Sequence, residues 1–377
     1  MAGIYIHIPF CKNKCTYCDF HFSTRYHSYE DRMLDAIVEE LIQRKDYLKD
    51  QIVETIYFGG GTPSLINSVG INKIIQTIYS YFSVVDSPEI TLESNPDDID
   101  SSSVQSWVSV GINRLSIGIQ SFDENVLKWM NRAHSVSQSF QAIEIAKREG
   151  ISNITIDLMY GLPGLSLNDW EQQIDMALKL NIQHISAYCL TIEKNTVLDA
   201  WVKSKKVEIS EDEDQALQFD LLQMKLSENG FIHYEISNFG QPNYFSKHNS
   251  NYWKGELYLG VGPSAHSYDT IHRSWNVSNN RKYIEGIFDN KRVFEYEKLS
   301  KSDVFNELLL IGLRTIWGVN LVNLNSVLSF SDSFNKKIKD LENEDLVFID
   351  DNHLKLTQKG KFFADKIAQD LFVNSKN

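Results

Sequence analysis

The sequence predicts an α/β protein with a mostly parallel sheet and a smaller C-terminal unit. Short apolar, β-branched runs recur through the first half of the chain, and amphipathic helical patterns stand between them. Beyond residue 298 the pattern changes to helices around a hairpin. Strands that are almost wholly apolar, rather than alternating, belong to sheets covered on both faces. Repeated strand–helix units pair in parallel, in a barrel or in an open doubly wound sheet.

The expected strands are GIYIHIP (3–9), VETIYF (53–58), EITLES (89–94), RLSIGI (114–119), NITIDLMY (153–160) and HISAYCL (184–190). Between the first two lies a helical pattern over 29–48, with Met33, Ile37, Leu41 and Leu48 on one stripe. Further helices are expected over 69–82, 136–150 and 166–180, the last two running into Gly150 and Asn181, residues typical of helix ends. After residue 200 a helix closed by Gly230 is followed by aromatic-rich strands and loops (231–241 and 256–269). From Lys298 the order reads helix, helix, two-stranded wing, helix, with LLLIGLRTIWGVNL (308–321) taken as helical and Asp350–Asp351–Asn352 as the hairpin turn. The expected division is a core over 1–235, an extension over 236–297 and a winged-helix-like domain over 298–377.

The 377 residues carry 37 basic and 50 acidic side chains, a net charge of -13 that disfavours a general nucleic-acid partner. The C-terminal unit balances eleven basic against eleven acidic residues, without the basic excess a DNA-binding wing needs. MAGIYIHIPFCKNKC lacks the basic and apolar regions of a signal peptide. No stretch approaches the ~20 apolar residues of a membrane span. A cytoplasmic protein is expected; peripheral membrane association and the choice between monomer and dimer are left open.

Three of the four cysteines fall within eight positions, as Cys11-x3-Cys15-x2-Cys18 directly after the first strand. Such clustering suits metal binding rather than disulfides. Three thiolates on one loop can hold three corners of an iron–sulfur cube and leave the fourth iron open. The alternative is a Cys3His zinc site using His7 or His21, although zinc spacings usually come in pairs and no second pair exists. FGGGTP (58–63) ends the second strand, and its glycines allow close approach of backbone to a ligand. Glu93, Gln120 and Asp157 lie at or near later strand ends, and Arg132 lies in NRAH; polar groups buried there need a ligand or a partner.

The cysteine spacing is the signature of the radical S-adenosylmethionine superfamily. YIHIPFCKNKCTYCDF resembles the branch that contains oxygen-independent coproporphyrinogen III oxidase and the HemW haem chaperones. The resemblance extends from Tyr5 into the C-terminal unit. It implies a partial parallel (β/α)6 TIM-like barrel, with a [4Fe–4S] cluster on Cys11, Cys15 and Cys18. It also implies an S-adenosylmethionine site formed by Tyr5, Tyr17, Gly60, Gly61, Thr62, Glu93, Gln120, Arg132 and Asp157. In that site the glycine motif would bind the methionyl amino group, Glu93 ribose hydroxyls and Arg132 a carboxylate.

Within the branch, the oxidase has a further cysteine two residues beyond the third cluster ligand, where this chain has Phe20, and a longer segment before its cysteine loop, where this chain has ten residues. His248-Asn249-Ser250-Asn251-Tyr252-Trp253 matches the HNxxYW motif of the chaperones. The resemblance therefore implies bound haem, with His248 as a candidate ligand shielded by Tyr252 and Trp253, and an unidentified haem-acceptor protein. The alternative is a radical enzyme acting on a tetrapyrrole. Cys189, inside the sixth strand, is expected to be a small core residue, and His266 in GVGPSAHSY, a second candidate ligand, is expected to be structural.

Overall fold

The computed structural model describes residues 1–373; positions 374–377 of the expected C-terminal unit lie outside the described residues. All six expected strands form. β1 (Ala2–Ile8), β2 (Val53–Gly60), β3 (Val84–Ser94), β4 (Arg114–Gln120), β5 (Asn153–Tyr160) and β6 (His184–Cys189) pair in parallel and in chain order. Ile4, Ile6, Ile8, Leu115, Ile117 and Ile156 are wholly buried, as continuous apolar strands require. In the first helix, Glu30–Gln43, the stripe of Met33, Ile37 and Leu41 faces this core. That helix stops earlier than its apolar pattern, yet Leu48 still packs inside from the following turn.

Four further strands follow at one edge and two at the other. β7 (Ile232–Glu235) and β8 (Asn238–Gly240) form an antiparallel hairpin against β6. β9 (Leu257–Val261) lies parallel to β1, a pairing the sequence did not reveal, and continues into antiparallel β10 (His266–Tyr268), β11 (His272–Asn276) and β12 (Phe294–Lys298). The strand order is linear, from β12 through β9, β1 and β6 to β7. The barrel is thus partial, with neither edge strand pairing the other.

Two polar devices hold the parts together. The buried carboxylate of Glu40 accepts from Tyr283 Oη (2.6 Å), Gly262 N (2.8 Å), Asn276 Nδ2 (2.8 Å) and Arg44 Nη1 (3.2 Å), tying the first helix to the 257–298 extension. At the amino ends of the strands, the helix Lys247–Trp253 plugs the barrel. Its first N–H groups, from Lys247 and His248, donate to the buried Glu89 carboxylate at 3.1 and 3.0 Å, a negative charge placed at a helix N-terminus.

The C-terminal unit has its own apolar core, including Phe305, Leu309, Phe334, Leu354 and Ile367. The expected 308–321 helix instead spans Lys301–Leu313; the chain then turns through Gly318 (φ 72°) into β13 (Val319–Asn320). β13 pairs with β15 (His353–Leu356), which pairs with β14 (Val347–Asp350), so the expected two-stranded wing has three strands. The β14–β15 turn places Asp351 and Asn352 at positive φ, the conformation of a two-residue hairpin turn. Backbone bonds join this unit to the barrel: Ile236 N donates to Arg314 O and Ile316 N to Tyr234 O, each at 3.0 Å.

Removing the Glu40 carboxylate would leave the buried Tyr283 hydroxyl and Gly262 N without their acceptor, and half-buried Arg44 without its ion-pair partner. Glu40→Ala should lower unfolding stability by about 3 kcal/mol, measured by urea denaturation. A loss below about 1 kcal/mol, the scale of an exposed ion pair, would mean the extension is held by apolar packing instead.

Candidate cofactor site

The carboxyl ends of β1–β6 open into a cavity of about 640 Å³. Its wall includes Cys11, Cys15 and Cys18, together with Tyr17, Gly60, Gly61, Thr62, Glu93, Gln120, Arg132 and Asp157. Every site residue expected from the sequence is therefore brought together here except Tyr5 and His248.

The cysteine loop is set by backbone. Gly61 N donates to Ile8 O (2.9 Å) and Thr62 N to Phe10 O (2.6 Å), binding the glycine turn to the segment that enters Cys11. A Cβ at Gly61 would stand 2.4 Å from Phe10 O, so no larger residue fits this approach. Beyond the turn, Cys11 N donates to Ser23 O (3.1 Å), Thr16 N to Met130 O (3.2 Å) and Leu198 N to Thr16 O (2.8 Å).

Two donors address the sulfurs: Thr62 Oγ1 lies 3.6 Å from Cys11 Sγ, and Arg132 Nη1 lies 3.6 Å from Cys15 Sγ. Arg132 also donates to Gly118 O (2.6 Å) and to Asn95 Oδ1. Burial pushes the Cys11 thiol up to about 12 and Cys18 to about 11, so taking up iron must release protons from this loop. Among the described residues no three His, Cys, Asp or Glu side chains converge on a single metal ion; an iron–sulfur cube is held at separate corners and does not require that. The histidines of the zinc alternative are engaged elsewhere. His7 Nε2 bonds to His21 O (2.9 Å) and His21 Nε2 to Asn280 Oδ1 (2.7 Å). The donor set fits an iron–sulfur cluster.

Across the cavity, Glu93 accepts from Tyr57 Oη (2.8 Å) and Gly60 N (3.1 Å). Burial raises its carboxyl to about 7 and that of Asp157, which accepts from Ser116 Oγ at 3.4 Å, to about 6. Carboxyls so placed can accept further donors from a ligand, such as sugar hydroxyls or an ammonium group. Gln120 ends β4 at φ 67°, a left-handed conformation uncommon for a side-chain-bearing residue and typical of functional sites.

Tyr5 lies behind this wall, 3.2 Å from His7 Nδ1 and stacked on Tyr57 (centroids 6.1 Å). His248 lies deeper, in the plug. Its Nδ1 pairs with Thr55 Oγ1 (2.8 Å), its Nε2 with Tyr252 Oη (2.7 Å), and its ring stacks on Tyr57 at 4.9 Å. Burial lowers its pKa to about 3. In this structure both ring nitrogens have hydrogen-bond partners and the ring is buried. Tyr252 packs edge-on to Tyr258, and Trp253 lies under the Arg314 guanidinium. The expectation of Cys189 as a core residue is corrected. Cys189 is half-buried on the cavity wall, with Sγ donating to Gln215 Oε1 at 3.2 Å. His266 is exposed on β10.

Sequence reasoning missed Asn95, which bridges Thr62 (3.2 Å) and Arg132; its place just past β3 was the available signal. It also missed Tyr188, Arg314 and Asp365 on the same wall. The last two come from the C-terminal unit, and no local pattern marks them.

Residues 5–177 match the model of the radical SAM superfamily, and residues 299–363 match the HemN C-terminal domain. Fold and cysteine site together define a radical S-adenosylmethionine protein. The heme chaperone HemW of Lactococcus lactis is 31% identical, covering 99% of this chain and 98% of that protein. HemW of Bacillus subtilis is 32% identical over 97% and 98%. The chain belongs to the HemW family. It is also similar to coproporphyrinogen III oxidase (HemN) of Escherichia coli, with a TM-score of 0.85 over 99% of this chain and 90% of that one; at 21% identity this shows a common fold.

A carboxyl raised on folding binds a proton that the unfolded chain releases. The stability contributed by protonated Glu93 is therefore present below its unfolded value of 4.5 and lost as pH rises through about 7. The ligand-free protein should lose this contribution between about pH 4.5 and about pH 7, where Glu93→Gln should show the shallower loss of stability. Equal slopes in denaturation series of the two proteins would remove Glu93 from the titrating set.

Proposed function

We propose that this chain is a haem chaperone: it holds haem in the same cavity as a [4Fe–4S] cluster and S-adenosylmethionine and passes the haem to an acceptor protein in the cytoplasm. The observation that carries this reading is the continuous cavity wall. It runs from the three cysteines past the buried carboxyls of Glu93 and Asp157 to an aromatic and apolar region formed by Tyr160, Tyr188, Leu190 and Ile236. One end suits a cluster and a polar cofactor, and the other suits a flat apolar ligand. The names of the relatives that cover nearly the whole chain support haem as that ligand.

In this reading Cys11, Cys15 and Cys18 hold three irons, with Arg132 and Thr62 donating to the sulfurs. Gly60, Gly61 and Thr62 receive the methionyl end of S-adenosylmethionine. Glu93 receives ribose hydroxyls, and Tyr17, Gln120 and Asp157 complete the wall. Arg132 is already engaged by Cys15, Asn95 and Gly118 O, so it orients the cysteine loop as well as meeting a carboxylate. Tyr5 supports the wall through His7 and Tyr57. A cluster held by Cys11, Cys15 and Cys18 would supply one-electron chemistry at the sulfonium of S-adenosylmethionine. Phe20, 66% exposed at the cavity, stands where the related oxidase carries its additional cysteine, so decarboxylation of coproporphyrinogen III is not part of the proposed activity. His248 is proposed to pack the barrel rather than ligate haem, because both of its ring nitrogens have partners.

The test is anaerobic reconstitution followed by haem titration and transfer to a haem-free acceptor. The reconstituted protein should contain a four-iron cluster, take up haem with a Soret band, and yield that band to the acceptor. Alanine at Cys11, Cys15 or Cys18 should remove the cluster, while Cys189→Ala keeps it. Cluster-loaded protein that takes up no haem would overturn the chaperone reading, and conversion of coproporphyrinogen III at catalytic turnover would favour the enzyme instead.

His248→Ala should keep the Soret position and lower stability by about 2 kcal/mol, through lost packing and two unpaired partners. A shifted Soret band with cluster iron and sulfide unchanged would restore His248 as the ligand.

A further inference from the structure

The cavity contains three basic side chains, and two are committed to the cofactor end. Lys12 clamps Asp97 (2.7 Å) and Asp98, and Arg132 serves Cys15, Asn95 and Gly118 O. The third, Arg314, comes from the C-terminal unit and lies beyond β6, beside Ile236 and Ser237. Its only ion-pair partner among the described residues is Asp365, at 2.7 Å from Nη1. That carboxylate is 62% exposed, whereas the Arg314 side chain is 20% exposed and its Nε is buried without a partner.

We propose that Arg314 is the anchor for a carboxylate of the tetrapyrrole, taken in exchange for Asp365. This rests on the haem reading above. A guanidinium binds carboxylates through paired parallel bonds, and Nε–H is a donor the present ion pair leaves unused. The pair with Asp365 is easily exchanged, because an exposed carboxylate loses little by returning to water. Arg314 is also pre-positioned. Its carbonyl accepts from Ile236 N at 3.0 Å, and its guanidinium lies over the Trp253 ring, 5.2 Å from the centroid. The last aromatic of HNSNYW thus supports the anchor from beneath, and the C-terminal unit contributes a specificity residue to a site otherwise built by the barrel.

The test uses the full chain, reconstituted with its cluster, and two probes: haem and haem dimethyl ester, whose carboxylates are masked. Wild type should bind haem about tenfold more tightly than the ester. Arg314→Ala should weaken haem by about the same factor and leave the ester unchanged, erasing the preference, while Arg314→Lys retains part of it. Asp365→Asn, which removes the competing carboxylate, should tighten haem binding. Iron and sulfide content and the denaturation midpoint report folding in each variant. Equal weakening of both probes by Arg314→Ala would make Arg314 a packing residue and overturn the proposal, as would an unchanged preference for haem. Failure of wild type to bind either probe is a different result, and overturns the haem reading itself.

Discussion

Glu89 closes one end of the barrel, and the working end depends on that closure. A partial parallel barrel exposes polar groups at both strand ends, and those at the amino ends must be satisfied without solvent. Glu89 does this by accepting the first N–H groups of the Lys247–Trp253 helix, with Arg114 4.0 Å away as its cationic neighbour. The seated helix delivers His248 to Thr55 and Tyr57. Gly3 makes room for it, since a Cβ there would stand 3.2 Å from the imidazole. Tyr57 then passes the order upward, its face packed on His248 and its hydroxyl on Glu93. The HNxxYW segment thus supports the cofactor wall from below.

At the other end the governing requirement is close backbone contact. The glycine turn after β2 lies so near the end of β1 that the cysteine loop leaves the sheet at a defined point. Thr62 and Arg132 each reach a different sulfur of that loop, and Asn95 links the two. One network therefore couples loop position to the ends of β3 and β4, on the same wall as the carboxyls of Glu93 and Asp157.

Much of this was legible in the sequence. Six apolar runs give six parallel strands, because strands buried on both faces need no alternation to be recognised. The cysteine spacing and the polar strand ends lead to one cavity, because parallel topology gathers all carboxyl ends on one side. What could not be read was long-range. β9 joins β1 only because a segment more than 200 residues later returns to that edge. Arg314 and Asp365 reach the cavity through docking of the C-terminal unit, which leaves no periodic trace. His248 shows the converse difficulty. Its motif was visible, but Glu89 and Thr55, which turn its ring inward, lie on strands far away in sequence. Cys189 looked like a core residue because its strand is apolar, yet the strand's last residues emerge at the cavity.

The central claim is that ligands enter at the carboxyl ends of the strands while the plug at the amino ends stays closed. Hydrogen–deuterium exchange of the cluster-loaded protein, with and without haem, measures both ends at once. The account predicts new protection at 188–191, 236–237 and 314–316, with exchange across 247–253 unchanged. Opening or new protection confined to 247–253, with the cavity segments unaffected, would contradict it and place haem at the plug.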